Sequence, residues 1–197
     1  MEVSNVHLSP TEMDLFSNAQ IILTKNTIIS KTILLLEELQ LQMLAQNKSN
    51  SEIFDIPPKI TRGENYLGLP YVILDYPRKY QGKDLFFIRS MFWWGNFYSS
   101  TLHLAGSYKQ KSYDNLKQEY HKLAAHNYYI GINSDPWLHQ FEESNFQLIN
   151  SLKEETYNDY LGRHDHIKIA THWPLKDWSK APIRLLKSWK FLLDLVA

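Results

Sequence analysis

Residues 84–105, DLFFIRSMFWWGNFYSSTLHLA, leave the chain the fewest options. Two runs rich in aromatic and aliphatic residues meet at Gly95-Asn96, and neither run contains a proline or another glycine. Glycine in the first place of a two-residue connection suits a type II′ turn, so the stretch reads as a β-hairpin in which Trp94 faces Phe97. Side chains alternate between the faces of a strand. In that register Phe86, Ile88, Ser90, Phe92 and Trp94 share one face with Phe97, Ser99, Thr101 and His103. Phe87, Arg89, Met91 and Trp93 share the other with Tyr98, Ser100, Leu102 and Leu104. Both faces are mostly apolar, as expected of a sheet covered on both sides.

The rest of the chain supplies the covers. Ser9-Pro10-Thr11-Glu12 is a capping box with proline at the first helical position. Leu15, Ile22, Ile29, Leu36 and Met43 then recur every seven residues, so a helical segment is expected over 9–48, with a kink at the polar patch Thr24 to Thr27. Its apolar stripe belongs either against the body of the protein or against a second copy. Asn47 to Lys59 reads as a loop. The strand-rich middle spans 58–106: KITRGE, LPYVILDY stopping at Pro77, and the hairpin. A mixed region follows over 107–197. It contains a helix from about Ser112, a strand at NYYIGI, a short helix opened by Asp135-Pro136, and a helix capped at Ser144 and stopped at Gly162. HDHIKIATHW reads as a final strand, and APIRLLKSWKFLLDLVA as an amphipathic helix. No linker or repeat divides residues 1–197, so a single α+β domain is expected. Its central sheet is mainly antiparallel, with about 4–6 strands, flanked by the long N-terminal helix and C-terminal helices.

Composition removes several classes of function. There is no cysteine, which excludes thiolate catalysis, zinc ribbons and disulfides. Acidic and basic residues balance at 21 each, leaving no net field to draw nucleic acid. The N-terminus has no basic segment followed by an apolar one, and no uninterrupted apolar run has bilayer length. The expected setting is therefore the cytoplasm, with no membrane span and no nucleic-acid partner. The bias toward lysine and asparagine has the look of a small soluble bacterial protein. Gly-rich phosphate loops, nucleophile elbows and the zincin motif are all absent, and no cofactor is expected.

Three groups of residues carry the candidate chemistry. Trp93, Ser99, Thr101 and His103 combine an aromatic wall with polar groups, the usual make-up of a ligand pocket. The alternative is cross-strand packing with a satisfied histidine. Only five arginines stand against sixteen lysines, and Arg62, Arg78 and Arg89 all fall in the strand-rich region, where their planar forks suit a small anionic ligand. The alternative is internal pairing, with Asp75 or Glu64 as the carboxylates. Finally, His164, His166 and His172 lie on one side of the last strand and resemble metal ligands, needing His126, His139 or Asp165 to complete a site. The basic stripe of the C-terminal helix, Lys176 to Lys190, reads as a solvated outer face. The leading expectation is a non-enzymatic module that binds a ligand or a protein through an aromatic-walled pocket reached by an arginine. A metal-dependent hydrolase and a homodimer built on the N-terminal helix are the alternatives.

Overall fold

The computed structural model describes residues 6–46 and 52–196. Its centre is a seven-stranded, wholly antiparallel sheet in the order β1-β2-β3-β4-β7-β5-β6. The strands are β1 (Lys59–Tyr66), β2 (Leu69–Gln81), β3 (Asp84–Trp93), β4 (Phe97–Ala105), β5 (Tyr129–Gly131), β6 (Phe146–Leu148) and β7 (His166–Pro174). The helices are α1 (Pro10–Ser17), α2 (Ala19–Gln46), α3 (Gly106–Gln118), α4 (Tyr120–Ala125), α5 (Glu154–Arg163) and α6 (Ala181–Asp194). The architecture is α+β; β5 falls within the strand expected at NYYIGI, and β6 brings the sheet to one strand more than expected.

The hairpin forms, but one residue out of the expected register. Trp93 pairs with Phe97, so the connection is the three residues Trp94-Gly95-Asn96. Gly95 sits at φ +71°, and Asn96 Nδ2 donates to the Trp94 carbonyl at 2.8 Å. A slip of one residue exchanges the faces of one strand relative to the other. Phe86, Ile88, Ser90 and Phe92 therefore share a face with Tyr98, Ser100, Leu102 and Leu104, while Arg89 joins Ser99, Thr101 and His103 on the other.

The first of these is the helical face. Leu36, Leu39 and Met43 of α2 and Leu185, Trp189 and Leu192 of α6 bury against Val72, Leu74, Tyr76, Ile88, Phe92 and Tyr98. The Trp189 indole stacks on Tyr76 and donates to its carbonyl at 2.8 Å. Three of the five heptad residues, Ile29, Leu36 and Met43, are thus consumed inside the protein, while Leu15 and Ile22 stay exposed. The helical break falls at Asn18, whose Oδ1 accepts from Gln20 N at 3.1 Å, and not at the polar patch, where the helix runs on. By length and composition α2 can cross a bilayer, which counting uninterrupted apolar residues fails to detect, yet its second half is seated in the core. The expected helical residues 47–48 and the loop residues through Ser51 lie outside the described residues.

Other boundaries also differ. β2 continues through Pro77 because the strand bulges between Asp75 and Arg78, where proline needs no ladder donor. The helix expected from Ser112 starts at Gly106, where the Asp84 carboxylate accepts from Ser107 N at 2.7 Å. No helix opens at Asp135 or Ser144. Residues 132–145 instead form an irregular strap over the second face of the sheet, closed by Ile132 N to Asn145 O at 2.8 Å and Asn145 Nδ2 to Gln140 O at 2.7 Å.

Candidate polar centre beneath a strap

The antiparallel register lines up a row across four strands that is polar on the first three. Asp75 of β2 pairs with Arg89 of β3, which pairs with Thr101 of β4, which pairs with Ala170 of β7. The neighbouring row holds Phe87, His103 and Lys168. The strap lies over these rows and adds Trp137, Leu138 and His139.

Arg89 is held on two sides. Its Nε and Nη2 donate to the two carboxylate oxygens of Asp75 at 2.8 and 2.9 Å, and its Nη1 meets His139 Nε2 at 3.0 Å. Because a guanidinium is always a donor, His139 Nε2 is the acceptor and its proton is on Nδ1. The His139 backbone N–H donates to Tyr66 Oη at 2.6 Å, and Tyr66 Oη donates to Gln140 Oε1 at 2.5 Å. The strap is thus tied to both β1 and β3.

Lys168 is 1% exposed. Its ammonium donates to the Leu138 carbonyl and lies 4.7 Å from the centre of the Phe146 ring. Gly131 of β5 makes room for it, since a Cβ there would stand 2.9 Å from Lys168 Cβ. Burial drives the amine down to about 7; the Asp135 carboxylate opposes that fall and the Arg89 charge adds to it. His103 is held down to about 2 by burial, then by Lys168, His166 and Arg89. His166 falls to about 4 and His139 well below its ordinary value, in both cases chiefly through burial. At neutral pH the centre therefore contains uncharged imidazoles, an amine that holds its proton weakly and one internally paired arginine. His103 Nε2 is buried without a hydrogen-bond partner, and its ring sits 5.5 Å from that of Trp137.

The expected site residues divide sharply. Arg89, Thr101 and His103 come together here, and Ser99 lies one row away on the same face, beside Met91 and His172. Trp93 is also on this face, with its indole donating to Tyr66 O at 3.1 Å. Arg78 donates to Pro57 O at 2.8 Å, and Arg62 is exposed on the edge strand; neither reaches the centre. Arg89 is internally paired with Asp75, the partner considered from sequence. Of the histidines, His164 and His166 stack at 5.6 Å, but His172 packs among Phe97, Tyr129 and Phe141, and His126 lies on Phe191. Among the described residues no three His, Asp or Glu side chains are placed to share a metal ion. Lys168 was the residue that sequence reasoning passed over. Its signal was a lysine between two isoleucines in a strand that the sheet buries on both faces.

The fold and this centre define an α+β protein whose sheet carries helices on one face and a strap over basic side chains on the other. Comparison with protein-family models, curated proteins and solved structures finds no match to the chain.

Proposed function

We propose that the protein binds a small anion, of carboxylate or phosphate type, in the polar centre beneath the strap. One observation carries this reading: the Lys168 amine is buried with a carbonyl and an aromatic ring for company, and among the described residues no carboxylate is ion-paired with it, the Asp135 charge acting on it only from beyond ion-pair distance. Burying an ammonium without a counter-ion is costly, and in its absence the group responds by losing its proton. An anion would supply the missing charge. It would also find donors on Arg89 that Asp75 and His139 leave unused, and the one N–H of the neutral His103 ring, which can sit on its unpartnered Nε2.

Binding would then be coupled to proton uptake, because the anion favours the charged form of Lys168. Calorimetric titration of the protein with acetate and with inorganic phosphate at pH 8, in buffers of different ionisation enthalpy, tests this. The expected result is saturable binding with uptake of close to one proton per anion, lost in Lys168→Met. Binding without proton uptake, or no binding at millimolar anion, overturns the reading.

A further inference from the structure

The opposite face of the sheet holds a second feature that the polar centre does not use. A cavity of about 190 Å³ opens where the tip of the hairpin meets α2. Ile28, Ile29 and Thr32 form its roof. Val72, Phe92 and Trp94 line the sheet side, and Leu175 and Trp178 close one end. None of its lining residues is charged. The pocket expected from sequence was to combine an aromatic wall with an arginine. Alternation along β3 puts Phe92 on this face and Arg89, together with Trp93, on the other.

We infer that this cavity is a binding site for a small, flat, uncharged molecule of one or two aromatic rings. Size argues first. Protein interiors leave few voids larger than a water molecule, and an apolar cavity of about 150 Å³ is enough to take benzene. Surface chemistry argues second. The Thr32 hydroxyl in the roof already donates to Ile28 O of its own helix at 2.9 Å, so that side of the wall offers water little. The third argument is that the walls are fixed. Phe92 packs against Trp178 at 5.3 Å and stacks on Tyr98 at 5.4 Å. Trp94 N donates to Pro70 O at 2.9 Å, pinning the hairpin tip to the start of β2. A pre-formed aromatic slot of this kind recognises a ring by stacking and exclusion of water, and it rejects a charged substituent that nothing there would pair.

The test is a titration of the full chain with indole, followed by the methyl resonances of Ile28, Ile29 and Val72. Saturable shifts confined to these methyls are expected, with indole binding at least tenfold more tightly than indole-3-carboxylate. Ile28 is partly exposed at the rim, so Ile28→Trp can fill the mouth without disturbing the core, and Thr32→Met fills the roof from inside. Each variant is expected to weaken indole at least tenfold while keeping the wild-type thermal midpoint within a few degrees. Saturating inorganic phosphate is expected to leave indole affinity unchanged, which separates this site from the polar centre. Absence of saturable shifts, equal or tighter binding of the carboxylate, or full binding in a folded Ile28→Trp protein overturns the inference.

Discussion

Asp75 and Arg89 show how much depends on single residues. Each side chain is 14% exposed, and the carboxylate takes two of the guanidinium's hydrogen bonds. Removing one member of a buried pair strands the other's charge, which costs far more than the pair's net contribution. Asp75→Ala is therefore expected to destabilise the fold by about 3 kcal/mol in urea unfolding. Arg62→Ala, on the exposed edge, is expected to stay within about 0.5 kcal/mol of wild type. The sequence displayed both possible partners of these arginines, and the pairing of Arg89 with Asp75 was among the readings. What it could not display was the register. Gly95-Asn96 fits a two-residue turn on local grounds, but in the folded sheet Trp93 closes on Phe97, stacking edge-to-face at 5.4 Å, and that contact needs three residues in the loop. His103 and Arg89 were therefore read on opposite faces when they share one.

At the level of elements, α2 has two regimes. Between Ile29 and Met43 the residues three, four and seven apart lie in the core, whereas the outward side and the first turns stay in solvent. Leu36 is fully buried and Leu34, half a turn away, is 58% exposed. Leu36→Ala is expected to cost roughly 2–5 kcal/mol by loss of burial and by the cavity left behind. Leu34→Ala is expected to change stability by less than about 0.5 kcal/mol. Chemical denaturation of the two variants in parallel checks this. Periodicity made this helix legible because burial on one side writes a 3.6-residue pattern. The strap carried no such pattern. Asp135-Pro136 and Ser144 to Gln147 are sound helix-start signals, yet Asp135 spends its carboxylate on the Trp137 N–H at 2.8 Å in a turn that goes no further, and Phe146 pairs with Gly131 in the sheet. Tertiary pairing won over local capping there, and the roof of the candidate site was hidden as a result.

For the molecule as a whole, the buried basic groups set the dependence of stability on pH. His103, His166 and His139 are held below 6.5 in the folded state, at about 2, about 4 and well below the ordinary value, so the unfolded chain takes up protons that the fold refuses as pH falls through 6.5. Each such proton is worth about 1.4 kcal/mol per pH unit, and the three together give a slope of roughly 4 kcal/mol per unit near pH 5. Asp84 and Asp177 are held below their ordinary values by hydrogen bonds from Ser107 and Arg184, and stability falls further as they protonate. Lys168 acts on the alkaline side. Its amine titrates at about 7 folded and near 10.5 unfolded, so the unfolded chain again binds the extra proton between those values, and stability rises with pH across that interval. The rise ends where tyrosines ionise. Tyr98 and Tyr66 are pushed up by burial, and Tyr128 to about 12, so the unfolded chain loses phenolic protons first and stability declines above about pH 10. The stability maximum is therefore expected near pH 9, well above the sequence isoelectric point of about 7.1. Urea midpoints at pH 5, 7, 9 and 11 in a buffer free of carboxylate and phosphate measure it. Lys168→Met should lose the rise between pH 7 and 9 and keep most of the acid limb, because burial is the largest cause of the lowered histidines and the Lys168 charge only adds to it. A wild-type maximum at pH 6 to 7, or a rise that survives in Lys168→Met, would mean that the lysine is not buried as the fold requires.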